Sequence, residues 1–158
     1  MKFSIIHIEP LSGEKAQVYT IKYEDKYDSE LRCFADKFND TQPELIQNIF
    51  QRIYLISNRD GIQESFFRRE SAKPNNVFRL METEDLRIYC IMFSNIFLLF
   101  GSGNVKLHGT VNNDDNPQLQ IEIDKLILTE NCINKYLDSG DLKITCNGFE
   151  GNLNDLTI

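Results

Sequence analysis

Arg79, Arg87, Tyr89, Lys106 and His108 are the residues in this chain best equipped for chemistry, and all fall within one stretch of alternating sequence. Cleavage of RNA through its own 2′-oxygen needs a base, an acid for the leaving oxygen and cations to offset phosphate charge. Arginine brings a permanently charged, forked donor set suited to phosphate. His108 is the side chain in this region that titrates near neutral pH by default. Alternation along Leu86-Arg87-Ile88-Tyr89 puts Arg87 and Tyr89 on one face of a strand and Leu86 and Ile88 on the other. By the same rule Arg79 shares a face with Val77 and Met81, and Lys106 shares one with His108. If the strands pair in order, these side chains converge. The candidate catalytic set is Arg87, Tyr89, Lys106 and His108, with Arg68, Arg69 and Arg79 as phosphate-binding candidates.

The elements that must position them read as α+β. Lys2 to Ile8 and Gln17 to Tyr23 are strand patterns joined by the turn chemistry of Pro10 to Gly13, an N-terminal β-hairpin. Tyr27 to Phe38 reads as a helix capped by Asp28 or Ser29. A second helix follows, with Thr41 as cap, Glu44 completing a capping box, Pro43 in the first turn and an apolar stripe reaching about Ser57. The period then changes to two. Ser65 to Arg69, Val77 to Met81, Leu86 to Phe93, Ile96 to Phe100 and Val105 to His108 are expected to form an antiparallel sheet of four or five strands, because their connectors are too short for parallel crossovers. A long helix, Pro117 to Leu137, stops at Ser139-Gly140, and a β tail offers strands at Leu142 to Cys146 and Phe149 to Leu153. Segregated strands and helices indicate a single α+β domain over residues 1–158, with extensions at 1–26 and 138–158.

Composition narrows the function classes. At 41% hydrophobic and 11% aromatic, the chain carries enough apolar residues for a packed core. No run approaches the ~20 apolar residues of a membrane span, and the expectation is a cytoplasmic protein with no membrane partner. Four cysteines without CxxC spacing predict reduced thiols. Two histidines, His7 and His108, do not make a His-rich metal site, so no metal and no cofactor are expected. Gly101-Ser102-Gly103 is only GxG, Asp114-Asp115 lacks the further ligands of a calcium loop, and Ser102 has no triad context. The net charge of −7 argues against a plain nucleic-acid binder. Its distribution is uneven. Arg52 to Lys106 holds eight basic and six acidic residues, a net +2, so the flanks carry −9 and a local basic face can exist on an acidic chain.

The segments Phe66-Phe67-Arg68-Arg69-Glu70-Ser71, Asn76-Val77-Phe78-Arg79-Leu80, Leu86-Arg87-Ile88-Tyr89-Cys90-Ile91, Ile96 to Gly103 and Val105-Lys106-Leu107-His108, followed by Asp115-Asn116-Pro117 and a helix, resemble the RelE/ParE toxin superfamily, particularly its HigB-like branch. The resemblance covers roughly Tyr27 to Lys135. It implies a toxin-like component of a toxin–antitoxin pair, a metal-independent endoribonuclease (an mRNA interferase) acting on ribosome-bound mRNA, with an antitoxin, commonly a helix-turn-helix protein, over its basic face. Relatives of the ParE type instead poison gyrase. The chain departs from the family in being acidic.

The same residues have other readings. Arg87 can pair with Glu84 or Asp85, Tyr89 can be core, His108 a bystander, and Arg68-Arg69 a solvated edge or a docking surface for an acidic partner. The alternative function is a non-enzymatic protein-binding module that keeps the toxin fold and uses the sheet for contact.

Overall fold

The computed structural model describes residues 1–70, 74–82, 85–107 and 116–158. Two strands open the chain, β1 (Lys2–His7) and β2 (Gln17–Tyr23), and they pair antiparallel from Phe3↔Tyr23 to His7↔Tyr19 as the expected hairpin. Helix α1 (Glu30–Phe38) begins at Ser29, whose hydroxyl accepts a hydrogen bond from the Arg32 N–H at 3.3 Å. Leu31, Phe34 and Phe38 turn inward. Helix α2 (Pro43–Leu55) has Pro43 in its first turn, where a missing N–H costs nothing. Thr41 does not cap it. The N-cap is Gln42 without a side-chain bond, and the Thr41 hydroxyl instead faces back to the Phe38 carbonyl at 3.5 Å. A wider helical turn over Ile56–Asp60 ends the unit at Gly61, whose φ of 74° is in the left-handed region.

The remaining elements are β3 (Phe67–Arg69), β4 (Val77–Leu80), β5 (Leu86–Ser94), β6 (Phe97–Val105), α3 (Pro117–Ser139), β7 (Leu142–Thr145), β8 (Gly148–Gly151) and β9 (Leu156–Thr157). The long helix stops where expected, at Gly140 with φ 82°. The sheet differs from expectation in size and sense. It has seven strands in the order β3-β4-β5-β6-β2-β1-β9 and is mixed, because β2 lies parallel to β6 from Gln17↔Phe97 to Thr20↔Phe100. The antiparallel meander β3-β4-β5-β6 is one half of it. Helices α1 and α2 lie in the long connection that a parallel join requires. β7 and β8 form a separate two-stranded sheet.

Ile96 to Phe100 and Val105 to His108 do not make two strands. One strand, β6, runs through both glycines, and the register slips between Ile88 and Cys90 so that Gly101 and Ser102 together face Tyr89. At Gly103 a Cβ would overlap the Arg87 carbonyl, and at Gly101 it would meet Leu126 of α3. The GxG pattern thus serves a bulge and a close helix approach.

Helices pack on both faces of the sheet. Val18, Leu80, Leu86, Ile88, Cys90, Leu98 and Phe100 pack with Leu31, Phe34, Ile49 and Ile53 of α1 and α2. On the opposite face Tyr19, Ile21, Val77, Tyr89, Ile91, Phe97 and Leu99 pack under Leu119, Ile123, Leu126 and Ile133 of α3, with Phe149 of β8 beside them. All four cysteines are free: Cys90 and Cys132 are buried, Cys33 is half-buried and Cys146 is exposed.

Candidate functional site

Alternation along β4 and β5 does bring Arg79, Arg87 and Tyr89 to one face. Arg79 stands directly across from Tyr89 in the register, and Arg87 is two residues along the same strand. That face is the one under α3, so the cluster is internal. Arg79 is 1% exposed and Arg87 4%. The Arg79 Nε lies 3.3 Å from a Glu70 carboxylate oxygen, with the Glu70 side chain 6% exposed. Arg79 Nη2 also approaches the Met81 sulfur at 3.2 Å. Burial pushes the Tyr89 phenol well above its ordinary range; the Glu70 charge adds to this and Arg87 and Arg79 oppose it. A phenol held protonated in this way is a poor base.

Glu130 extends the cluster from the helix side. Its carboxylate accepts the Asn76 backbone N–H at 3.0 and 3.1 Å and the Asn76 side-chain amide at 2.7 Å. Asn75 accepts from the Val77 N–H through its side chain at 3.0 Å and from Arg69 through its carbonyl. At the far end of β6 the Asn116 side chain accepts the Leu107 N–H at 2.8 Å. The Glu130 and Asn116 bonds fasten α3 and its N-cap to the sheet at both ends of the cluster. Glu130 was detectable in principle, since Leu119, Ile123, Leu126, Glu130 and Ile133 follow helical spacing and one charge interrupts the apolar stripe.

The other candidates stand apart. Arg68 faces the same side as Arg79 across the β3–β4 pair but at the exposed edge. Arg69 points to the opposite face and lies over the Phe78 ring, 4.8 Å from its centre. Lys106 lies just past β6, half-buried, its backbone N–H donating to the Asp85 carbonyl at 2.7 Å; among the described residues its ammonium makes no ion pair. His108 falls outside the described residues, as do Glu84, Asp114 and Asp115. No single accessible surface among the described residues carries Arg79, Arg87 and Lys106 together.

No family model, curated protein or solved structure matches the chain.

A second polar cluster joins α1 to α3 around the end of β2. Lys125 bridges to Glu30 at 3.4 Å and sits 3.7 Å from the centre of the Tyr23 ring. The Tyr23 hydroxyl shares a 2.7 Å hydrogen bond with Thr129. Burial, then the neighbouring Glu30 charge, raise the Glu122 carboxyl above its ordinary value; Lys125, Lys26 and Lys37 oppose them. Among the described residues no group of three or more His, Cys, Asp or Glu side chains is placed to hold a metal ion. No described helix is long and apolar enough to cross a membrane.

Proposed function

We propose that this chain is a non-enzymatic protein-binding module that keeps a toxin-like order of elements without the phosphate chemistry. The observation that carries this reading is the burial of Arg79 and Arg87 beneath α3, with Arg79 neutralised by Glu70. Phosphate recognition needs cations that a backbone can reach and that no internal carboxylate already holds. The chain's charge of −7 works in the same direction, because a long-range negative field opposes approach to RNA. With helices over both faces of the sheet, contact with a partner falls to the strand edges and the uncovered margins of the faces.

The test is direct. Purified chain is incubated with ribosomes and mRNA and the message is mapped for cuts, while the chain isolated from its own cells is weighed by native mass spectrometry. Uncut message and a stoichiometric protein complex are expected. Ribosome-dependent cleavage that disappears in Lys106→Ala or Arg68→Ala, both accessible positions, would overturn the reading and restore the nuclease.

A further inference from the structure

One edge of the seven-stranded sheet is β3, paired only to β4. The residues flanking β3 bond to the β4 side: the Met81 N–H donates to the Phe66 carbonyl at 2.8 Å and the Glu70 N–H to the Val77 carbonyl at 3.4 Å. Bonded and non-bonded pairs alternate in an antiparallel ladder, so Arg68 with Arg79 is the bonded pair between them. The backbone groups of Phe67 and Arg69 therefore point away from the sheet. The Phe67 N–H is taken by the Glu64 carbonyl. The Phe67 carbonyl and both the N–H and carbonyl of Arg69 have no partner among the described residues. A row of such groups is a template for one more strand.

Charge decides which strand fits. Arg68 and Arg69 are both exposed and, among the described residues, neither makes an ion pair. The neighbouring carboxylates are engaged elsewhere: Glu70 with Arg79, Glu82 with Arg52 and Asp60 with Arg59. Glu64 is exposed, but it lies in the short turn before Phe67, at the opposite end of β3 from Arg69. Arg69 is also held in place, since its guanidinium lies over the Phe78 ring and donates to the Asn75 carbonyl. Side chains alternate along β3, so Arg68 and Arg69 stand on opposite faces of the edge. Consecutive residues of an added strand alternate in the same way and meet both, whereas a run of phosphates has no such alternation. A second copy of β3 in that place would set arginine against arginine, which destabilises a strand pair. We infer that β3 receives an extended segment of a partner protein as a further antiparallel strand, with the residue order acidic, acidic, apolar. The first acidic residue stands across from Arg69 and exchanges both backbone bonds with it. The second stands across from Arg68, and the apolar residue stands across from Phe67 and donates its N–H to the Phe67 carbonyl. This deepens, and rests on, the protein-binding reading above.

The probe is a synthetic peptide, acetyl-Thr-Glu-Glu-Val-Thr-Gly-amide, titrated into the full chain to millimolar concentration and followed by amide chemical shifts. The largest shifts are expected at Arg68 and Arg69, with the Arg69 amide proton moving downfield as it gains a hydrogen bond. Glutamine in place of either glutamate should weaken binding up to about fivefold, the scale of a cross-strand charge pair. N-methylation separates strand pairing from charge attraction. A methyl on the first glutamate nitrogen removes the donor to the Arg69 carbonyl and should weaken binding about tenfold. On the second glutamate nitrogen, which points away from β3, it should leave binding within about twofold. Arg68→Glu with Arg69→Glu should reverse the preference, so that the chain takes acetyl-Thr-Lys-Lys-Val-Thr-Gly-amide instead. Circular dichroism checks that this variant folds, and the peptide series tests the inference on the unaltered chain.

No shift at Arg69, equal binding of the lysine peptide by the unaltered chain, or equal loss from the two N-methyl peptides each overturns the inference. So do concentration-dependent Arg69 shifts without peptide, which mean a second copy at the edge. The same shifts on adding single-stranded RNA mean a phosphate site and overturn it as well. A native complex that survives Arg68→Glu with Arg69→Glu overturns it too, while leaving the protein-binding reading intact. Ribosome-dependent cleavage removes that reading instead and leaves the peptide result to stand alone.

Discussion

Replacing Glu70 by glutamine leaves the Arg79 guanidinium charged, because arginine does not give up its proton, in a space from which water is excluded. Two magnitudes compete. An exposed ion pair contributes about 0–1 kcal/mol, whereas removing one partner of a buried pair costs about 3–5 kcal/mol. Side-chain exposures of 1% for Arg79 and 6% for Glu70 select the second. The glutamine amide oxygen can still accept a hydrogen bond, so the lower end, ~3 kcal/mol, is expected for Glu70→Gln. Against a total stability of about 5–15 kcal/mol that is a large fraction. At roughly 2–4 °C per kcal/mol for a chain of this size, Tm should fall by about 6–12 °C. Urea unfolding at pH 7 measures it as a drop in midpoint at unchanged slope. The control is Glu82→Gln. Its partner Arg52 is closer, at 2.8 Å, but the two side chains are 34% and 21% exposed. If burial rather than distance decides, Glu82→Gln loses under ~1 kcal/mol. A Glu70→Gln loss below ~1 kcal/mol, or one no larger than that of Glu82→Gln, would refute the reasoning. Replacing both Glu70 and Arg79 by methionine should cost less than Glu70→Gln, since it removes both charges of the buried pair together.

Gly103→Ala places a methyl group on the Arg87 backbone carbonyl, which cannot turn aside, and should cost about 3 kcal/mol in urea unfolding. Gly101→Ala meets only the flexible Leu126 side chain and should cost about 1 kcal/mol; equal losses would argue against the bulge. In native buffer a thiol reagent should modify exposed Cys146 first and Cys33 more slowly, while Cys90 and Cys132 react only as the chain opens, since burial raises both thiols above their ordinary range. Rapid loss of a third thiol, read by intact mass, would contradict the packing. Glu122 has a folded-state value raised above its ordinary 4.5, so its protonated form favours the folded chain; that contribution is present below the ordinary value and lost as pH rises through the raised one. Glu122→Gln should therefore raise Tm at pH 7 more than at pH 4, and a uniform change across that range would dismiss the carboxyl as the cause.

Local chemistry in the sequence located most elements within a residue or two, because the signals that place them are local. Ser29 caps α1 and Gly140 ends α3 through groups within a few residues of each other. The parallel join of β2 to β6 has no such signal. It pairs Val18 with Leu98 across eighty residues, and both strands look like ordinary apolar strands whichever neighbour they take. β9 is two residues long and is held to β1 only at Lys2 and Phe3, too short to carry a period. The Thr41-to-Glu44 spacing matched a capping box, yet the chain enters α2 one residue later, so the pattern alone did not decide the cap.

The candidate site was half legible for a related reason. Alternation states which side chains share a face and is silent on what lies over it. Arg87 and Tyr89 against Leu86 and Ile88 read as polar-out and apolar-in, as on a sheet with one wet face. The same strand, however, continues as Cys90-Ile91-Met92-Phe93, and its neighbour opens Phe97-Leu98-Leu99-Phe100, with no polar residue on either side. Unbroken runs of that kind belong to strands covered on both faces. An arginine on such a strand must bring its own counter-charge, because the alternative is an unpaired ion in the core. That requirement points away from the loops and toward a carboxylate on an adjoining strand end. Glu70, one residue past β3 and beside Arg79, is the acidic residue in that position. Arg79 is therefore better explained as one side of an internal charge balance with Glu70, with Arg87 buried on the same face, and the accessible chemistry of the chain moves to its margins.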